Sequence, residues 1–538
     1  MQFTRGAHVG VFGGAKTLMT SLSANLPSHP SGHARRFPDK PAYIMEPSGT
    51  VVTYRELEER SNRAAHLFRR EGLRADDGVV LLLENNERFF ELIWGAQRSG
   101  LRYTCASPKL SPAEVEYILR DCGAKVLVTS SAIMIADELP SLLPDVMLYN
   151  IGGARPGFRS YEAAVSSLPT SPIPDQSAGV DMLYSSGTTG RPKGIRRPID
   201  PSAAFDAPDR SVEMLRGLYD VNETAVYLSP APLYHAAPLA WCAGIMRLGG
   251  TVVIMERFDP ELALALIQKH RISVAQFVPT HFIRMLKLPQ PVRSKYDVSS
   301  IEKAVHAAAP CPIPTKQAMI DWWGPVLYEY YSGTEAAGLT LITSAEWLKK
   351  KGSVGRAFWG QIRICGENGE PLPTGEVGDV YFVSDYEFAY HNDPAKTASV
   401  RNKYGWSTMG DVGRLDEDGY LYLTDRRSFM IISGGVNIYP QEIENLIIQH
   451  PKVADVAVIG APDNEMGERV VAIVQPATGV VGDAALGEEI VAFARQHLSH
   501  VKAPRQVDFM DELPRQDNGK LYKRLLRDRY WAGRTLVS

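Results

Sequence analysis

Residues 184 to 194 read Tyr-Ser-Ser-Gly-Thr-Thr-Gly-Arg-Pro-Lys-Gly. Tyr184, Ser185, Ser186, Thr188 and Thr189 bring hydroxyls, while Gly187, Gly190 and Gly194 leave backbone open to a ligand. Arg191 and Lys193 add positive charge. Such a segment suits a polyphosphate, because N–H groups and hydroxyls bond its oxygens and cations screen its charge. The P-loop spacing is absent, since Gly194 follows Lys193 where a Ser or Thr would be needed. By composition alone the string is equally a polar surface turn.

Other stretches carry compatible chemistry. Residues 328 to 335 are Tyr-Glu-Tyr-Tyr-Ser-Gly-Thr-Glu. An aromatic there can stack on a purine, a Thr hydroxyl can bond phosphate, and a carboxylate can hold magnesium. Thr408-Met-Gly-Asp411 offers a carboxylate with two acceptor oxygens, matched to a pair of ribose hydroxyls. In Ser433-Gly434-Gly435 the two glycines permit close approach of backbone to a narrow ligand. Asn518-Gly519 is a tight-turn signal that sets Lys520 on or beside a loop tip. Each has an ordinary alternative: a strand end, a turn aspartate, a strand–turn–helix joint, a solvated lysine.

The elements around these stretches alternate. Residues 42 to 54 read as a hairpin, 54 to 71 as an amphipathic helix, 78 to 83 as a buried strand and 87 to 98 as a helix. Strands at 125–129, 251–255 and 272–277 are interleaved with helices at 132–143 and 260–270. This pattern predicts an α/β fold with substantially parallel sheets, whose ligands sit at the carboxyl ends of strands. Short strands spaced by Gly turns make 360 to 425 a β-rich subdomain. From Arg426 a compact α/β pattern follows, with a helix after Pro440, strands at 453–459 and 470–475 and a helix at 488–497. The expected division is a large N-terminal domain, 1–425, and a small mobile α/β C-terminal domain, 426–538.

The ordered strings, taken together, resemble the adenylate-forming acyl-CoA synthetase superfamily, which includes acyl-CoA ligases, luciferase and peptide-synthetase adenylation domains. The resemblance spans residues 40 to 525, with its motifs in the family's order. It implies ATP binding by Ser185, Ser186, Gly187, Thr188, Thr189 and Lys193, with Tyr331 at the adenine. It places Thr334 at the α-phosphate, Glu335 at magnesium, and Asp411 and Arg426 at the ribose. Lys520 is the implied catalytic lysine, bridging substrate carboxylate and α-phosphate. His235 and the run Ala307-Ala308-Ala309 fall at the acyl pocket, where relatives often carry Gly-Gly. Ser433, Gly434 and Gly435 fall on the coenzyme A tunnel, and Ser428 at the hinge between domains. Ser332 stands where the family often has Gly, and Ser428 where it has Asp or Lys.

The implied activity is an ATP-, magnesium- and coenzyme A-dependent acid–thiol ligation, with a fatty acid as the expected substrate. Aryl acids, steroid side-chain acids and transfer to another acceptor stay open. A luciferase-like oxygenase and, from another class, a non-catalytic nucleotide-binding scaffold are the further alternatives. A net charge of -3 over 538 residues implies no nucleic-acid surface. The five cysteines are scattered without metal spacing, as in a reducing compartment, and a cytoplasmic enzyme is expected. No apolar run approaches the roughly 18 residues of a membrane span.

Overall fold

The computed structural model describes residues 28–185, 192–200, 202–207, 210–386, 388–515 and 521–532. Ser186, Gly187, Thr188, Thr189 and Lys520 therefore lie outside the described residues, as does the side chain of Ser185.

The chain folds as α/β, with sheets that grow from different physical patterns. Gly78–Leu82 is buried along its whole length, as a parallel strand covered on both faces must be. It is flanked by Arg102–Ala106 and Ala124–Ser130 in a six-stranded sheet that is parallel throughout. Tyr54–Arg70 covers this region with Leu57, Ala64, Leu67 and Phe68 on its buried face. A capping box between Thr53 and Glu56 starts that helix, each side chain bonding the other's backbone N–H.

A nine-stranded sheet carries the site. Its middle is parallel: Val226–Ser229, Val274–Phe277, Lys303–His306 and Leu327–Tyr331 lie side by side. Leu339–Thr343 then returns antiparallel to Leu327–Tyr331, so the turn between them sits at a carboxyl strand end. The helices Arg210–Tyr219 and Ala236–Leu248 pack on one face, within the core that holds Tyr227, Val274 and Val305. The other face carries the cluster of Leu228, Ala275, Phe277 and Ala304.

The β-rich stretch is a four-stranded antiparallel sheet of Gln361–Cys365, Gly378–Val383, Ser407–Leu415 and Leu421–Arg426. Beyond it, Ile431–Ser433 and Val436–Ile438 form a hairpin joined to the long pair Val453–Asp463 and Gly467–Pro476. This last sheet packs beneath Pro440–Ile447 and Ala484–His497 around its own core of Ile443, Val458, Ala472 and Ile490. Lys287 reaches it from the larger part of the molecule, its Nζ donating to the carbonyls of Val453 at 3.2 Å and Ala454 at 2.8 Å.

Two expected elements differ. The helix expected over 132–143 is a 3₁₀ turn, Met134–Glu138, followed by the short helix Leu139–Leu142. Pro140, at the second position of that helix, has no N–H with which to continue the preceding turn. The helix expected from 488 begins at Ala484, because the Asp483 side chain accepts from the Leu486 N–H and caps it four residues earlier.

Candidate active site

One cleft of about 2460 Å³ runs between the nine-stranded sheet, the β-rich sheet and the C-terminal sheet. Tyr331, Thr334, Glu335, Asp411, Arg426, Lys193, His235, Ala307, Ala308 and Ser428 all line it. Positions far apart in the chain therefore converge on one surface.

The tightest junction joins three of them. Tyr331 ends its strand and donates its hydroxyl to Asp411 Oδ2 at 2.6 Å. Arg426 Nε donates to Asp411 Oδ1 at 3.2 Å, and Asp411 and Arg426 are cross-strand neighbours in the β-rich sheet. Burial, and then the Asp411 carboxylate, push the Tyr331 phenol well above its usual range, so it is a hydrogen-bond donor at any working pH. Burial would lower the Arg426 guanidinium, but Asp411, Tyr331 and Glu335 together outweigh that and hold it charged. The junction thus presents a fixed carboxylate, an aromatic ring and a permanent cation on one wall.

The turn after Tyr331 explains its own sequence. Ser332 Oγ donates to the Gly338 carbonyl at 2.7 Å, which ties the ends of the turn together. A Cβ at Gly333 would stand 2.4 Å from the Met409 sulfur and 2.7 Å from Glu335 Oε2, so any side chain there would have to displace both. Glu335 Oε1 accepts from the Tyr390 hydroxyl at 2.9 Å. The Lys193 ammonium lies 5.8 Å from the centroid of the Tyr390 ring, and burial followed by Lys396 lowers its pKa. Tyr390 was not among the residues singled out from sequence. It falls within the stretch read as β-rich, and nothing in its spacing points to Glu335.

Lys193 begins a strand, Lys193–Arg196, that pairs antiparallel with Leu183–Ser185, so the hydroxyl-rich segment joins two strands of one hairpin. Tyr184, on the first of them, donates to Asp121 Oδ2 at 2.5 Å. His235 precedes the helix Ala236–Leu248 as its N-cap residue, its ring 4.5 Å from that of Tyr234. Ala308 adopts φ 75°, a left-handed conformation unusual for a side-chain-bearing residue.

The C-terminal portion contributes unequally. Arg515 and Leu521, which bracket the segment containing Lys520, form an antiparallel bridge and both line the cleft. Arg515 is anchored on Asp455, with Nη2 at 2.7 Å from Oδ1. Ser433, Gly434 and Gly435 lie elsewhere, at the turn of the hairpin Ile431–Ile438, and do not line this cleft. Gly434 and Gly435 have φ 56° and 77°, which the turn requires. Ser428 sits exposed in a 3₁₀ turn, Arg427–Phe429, between the two sets of sheets.

Among the described residues no cluster of three metal-ligating side chains occurs. A single carboxylate in an open cleft fits magnesium carried in on substrate phosphates, since that ion keeps most of its ligands as water and phosphate oxygen.

Comparison with known proteins agrees with this geometry. The family model for AMP-binding enzyme matches residues 31–386, and that for the AMP-binding enzyme C-terminal domain matches 442–520. The chain is 33% identical to a feruloyl-CoA synthase of Amycolatopsis sp, over 94% of this chain and 99% of that one. It is 32% identical to the long-chain-fatty-acid–CoA ligase FadD13 of Mycobacterium tuberculosis, over 91% and 95% of the two chains. Among solved structures, ATP-bound MatB from Rhodopseudomonas palustris superposes with a TM-score of 0.76 at 26% identity, covering 94% of this chain and 99% of that one. No described helix is long and apolar enough to cross a membrane. The chain belongs to the AMP-binding enzyme family and is an AMP-forming acid–thiol ligase.

Proposed function

We propose that this protein joins a carboxylic acid to coenzyme A in two steps on the cleft just described. The acid's carboxylate oxygen attacks the α-phosphorus of ATP, and pyrophosphate leaves with the bond that breaks. The thiol sulfur of coenzyme A then attacks the acyl carbon, AMP leaves, and the thiol proton is lost to solvent. The observation that carries this reading is the Tyr331–Asp411–Arg426 junction with Glu335 on the same wall.

In this reading Asp411 accepts from the ribose hydroxyls and Arg426, donating to its Oδ1, orients that carboxylate. Tyr331 presents its ring to the adenine while its hydroxyl is anchored. Lys193, with Ser185, Ser186, Gly187, Thr188 and Thr189, offsets polyphosphate charge, and Thr334 bonds the α-phosphate. Glu335, oriented by Tyr390, would hold magnesium, which supplies charge neutralisation at the phosphates. Lys520 brings carboxylate and α-phosphate together, an orientation effect as much as an electrostatic one.

A division at 425/426 follows from the same reading. Arg515 and Leu521, the described residues on either side of Lys520, line the cleft, whereas Ser433, Gly434 and Gly435 do not. The observed arrangement therefore suits adenylation, and rotation about Ser428 would bring the hairpin to the cleft for the thiol step.

The test is isotope exchange. Acid-dependent exchange of labelled pyrophosphate into ATP is expected without coenzyme A. Lys520→Ala should lower it by roughly two to three powers of ten, as removal of an oxyanion stabiliser does, while thioester formation from supplied acyl-adenylate persists. Release of ADP and phosphate, or equal loss of both half-reactions in the variant, would overturn the assignment.

A further inference from the structure

One wall of the cleft is built of rings and holds an acceptor with no partner among the described residues. Trp241, on the helix Ala236–Leu248, and Tyr330, on the strand Leu327–Tyr331, both line it. Trp241 is fixed from behind. Tyr227 stacks on it at 5.7 Å with an interplanar angle of 13°, and Tyr219 lies 5.0 Å away. Trp241 and Tyr330 thus present ring faces to the cleft, and Tyr227 and Tyr219 hold Trp241 in place. Moving them would disturb a core packed to crystal-like density.

Gln276 lines the same cleft from the strand Val274–Phe277 and is 1% exposed. Its Nε2 donates to the Phe277 carbonyl at 3.3 Å, which fixes which end of the amide is which. Its Oε1 has no partner among the described residues. The neighbours do not supply one. The register pairs Tyr227 with Val274 and Leu228 with Ala275, so its next step sets Ser229 beside Gln276 on the same face. Ser229 Oγ, Tyr227 Oη and Tyr219 Oη, all buried, make no hydrogen bond of good geometry among the described residues. A buried acceptor left unanswered costs on the order of 1–3 kcal/mol. A saturated chain placed here would leave that cost standing, whereas a ligand hydroxyl would remove it.

We propose that Gln276 is a specificity-determining residue, and that the acid is a hydroxy-substituted aromatic acid whose hydroxyl donates to Gln276 Oε1. The flat ring lies against Trp241 and Tyr330, and these two side chains set the length the site accepts. This replaces a fatty acid as the expected substrate and rests on the acid-activating reading above.

The experiment compares matched acids by pyrophosphate release in the presence of ATP, magnesium and coenzyme A. The probes are 4-hydroxycinnamate against cinnamate, 4-hydroxybenzoate against benzoate, and hexanoate and palmitate. The hydroxylated member of at least one ring pair should have kcat/KM higher by about tenfold to a hundredfold, the range expected for one buried hydrogen bond. Both fatty acids should fall below it. Gln276→Leu and Gln276→Met should bring the hydroxyl-to-deoxy ratio to within about threefold of one. That ratio cancels a general loss of activity, and a melting curve accompanies each variant. Equal turnover of the ring pairs, faster turnover of palmitate, or a ratio unchanged in both variants would overturn the specificity inference while leaving the ligase reading in place. Pyrophosphate release from none of the acids would strike the ligase reading itself.

Discussion

Ala308 holds φ 75° on the wall of the cleft, in a region that costs a side-chain-bearing residue roughly 1–2 kcal/mol. Glycine would avoid that cost but lose about 0.5–1 kcal/mol of chain entropy on folding. The balance predicts that Ala308→Gly raises stability by about 0.5 kcal/mol, measured as a higher urea midpoint at unchanged slope. A lower midpoint would show that the methyl contributes packing that outweighs its strain. Tyr390 makes a second prediction. Removing its hydroxyl in Tyr390→Phe frees Glu335 to rotate, so the magnesium concentration for half-maximal pyrophosphate exchange should rise about tenfold, as for other outer partners of metal-binding groups. An unchanged magnesium dependence would mean that Glu335 is held by its backbone alone. At this scale the sequence showed what local chemistry can show. Tyr331, Asp411 and Arg426 were singled out by their resemblance to a family motif, since their types alone fit a strand end, a turn and a solvated pair equally well. Tyr390 and Gln276 were invisible, because their meaning lies in a contact with Glu335, 55 positions away, or in one amide oxygen with no partner among the described residues.

In the proposed two-step cycle the hinge would be the short 3₁₀ turn Arg427–Phe429. On one side of it Arg427 Nε donates to Asp379 Oδ1 at 2.8 Å, and on the other the Gln441 N–H donates to Asp425 Oδ2 at 2.9 Å. Proline at 428 would exclude Arg427 from helical backbone and so oppose this turn. Ser428→Pro should therefore disfavour the observed arrangement. Pyrophosphate exchange would fall tenfold or more, while thioester formation from supplied acyl-adenylate falls less. The surface position predicts little change in melting temperature, since Ser428 is exposed. Exchange at the wild-type rate in a folded variant would place the hinge elsewhere. Elements with their own stop and start signals were legible. Pro260–His270 came out with the bounds read from sequence, because Asp259 caps it and Arg271 ends it in the left-handed region. Residues 132–143 were not, because apolar periodicity outvoted a single proline.

At the scale of the whole molecule, strand order is what the sequence withheld. Pro41–Glu46 pairs with Thr251–Met255 across about two hundred residues, and no local pattern encodes that choice. The same assembly buries histidines that would each prefer to be charged in acid. His281 is 4% exposed, with its ring 4.0 Å from that of Phe258 and its Nδ1 accepting from the Val278 N–H at 3.4 Å. Burial, and then Arg284, lower its pKa from 6.5 to about 3. The folded state therefore binds fewer protons than the unfolded chain between those values. Its contribution to stability is complete above pH 6.5 and is lost as pH falls toward 3. From pH 7.5 to 5.5 the loss is about 1.4 kcal/mol for one such group. Burial holds His29 and His306 neutral in the same sense, and raises the carboxyls of Glu91, Glu329 and Glu444, which act oppositely as pH falls. A variant that alters one group separates its share from theirs. His281→Asn keeps an acceptor for Val278 but cannot titrate. Urea unfolding at pH 7.5 and 5.5 should show the wild type losing about 1.4 kcal/mol more than the variant between the two pH values. Equal losses in both would mean that His281 is protonated in the folded protein, and that its packing against Phe258 tolerates the charge.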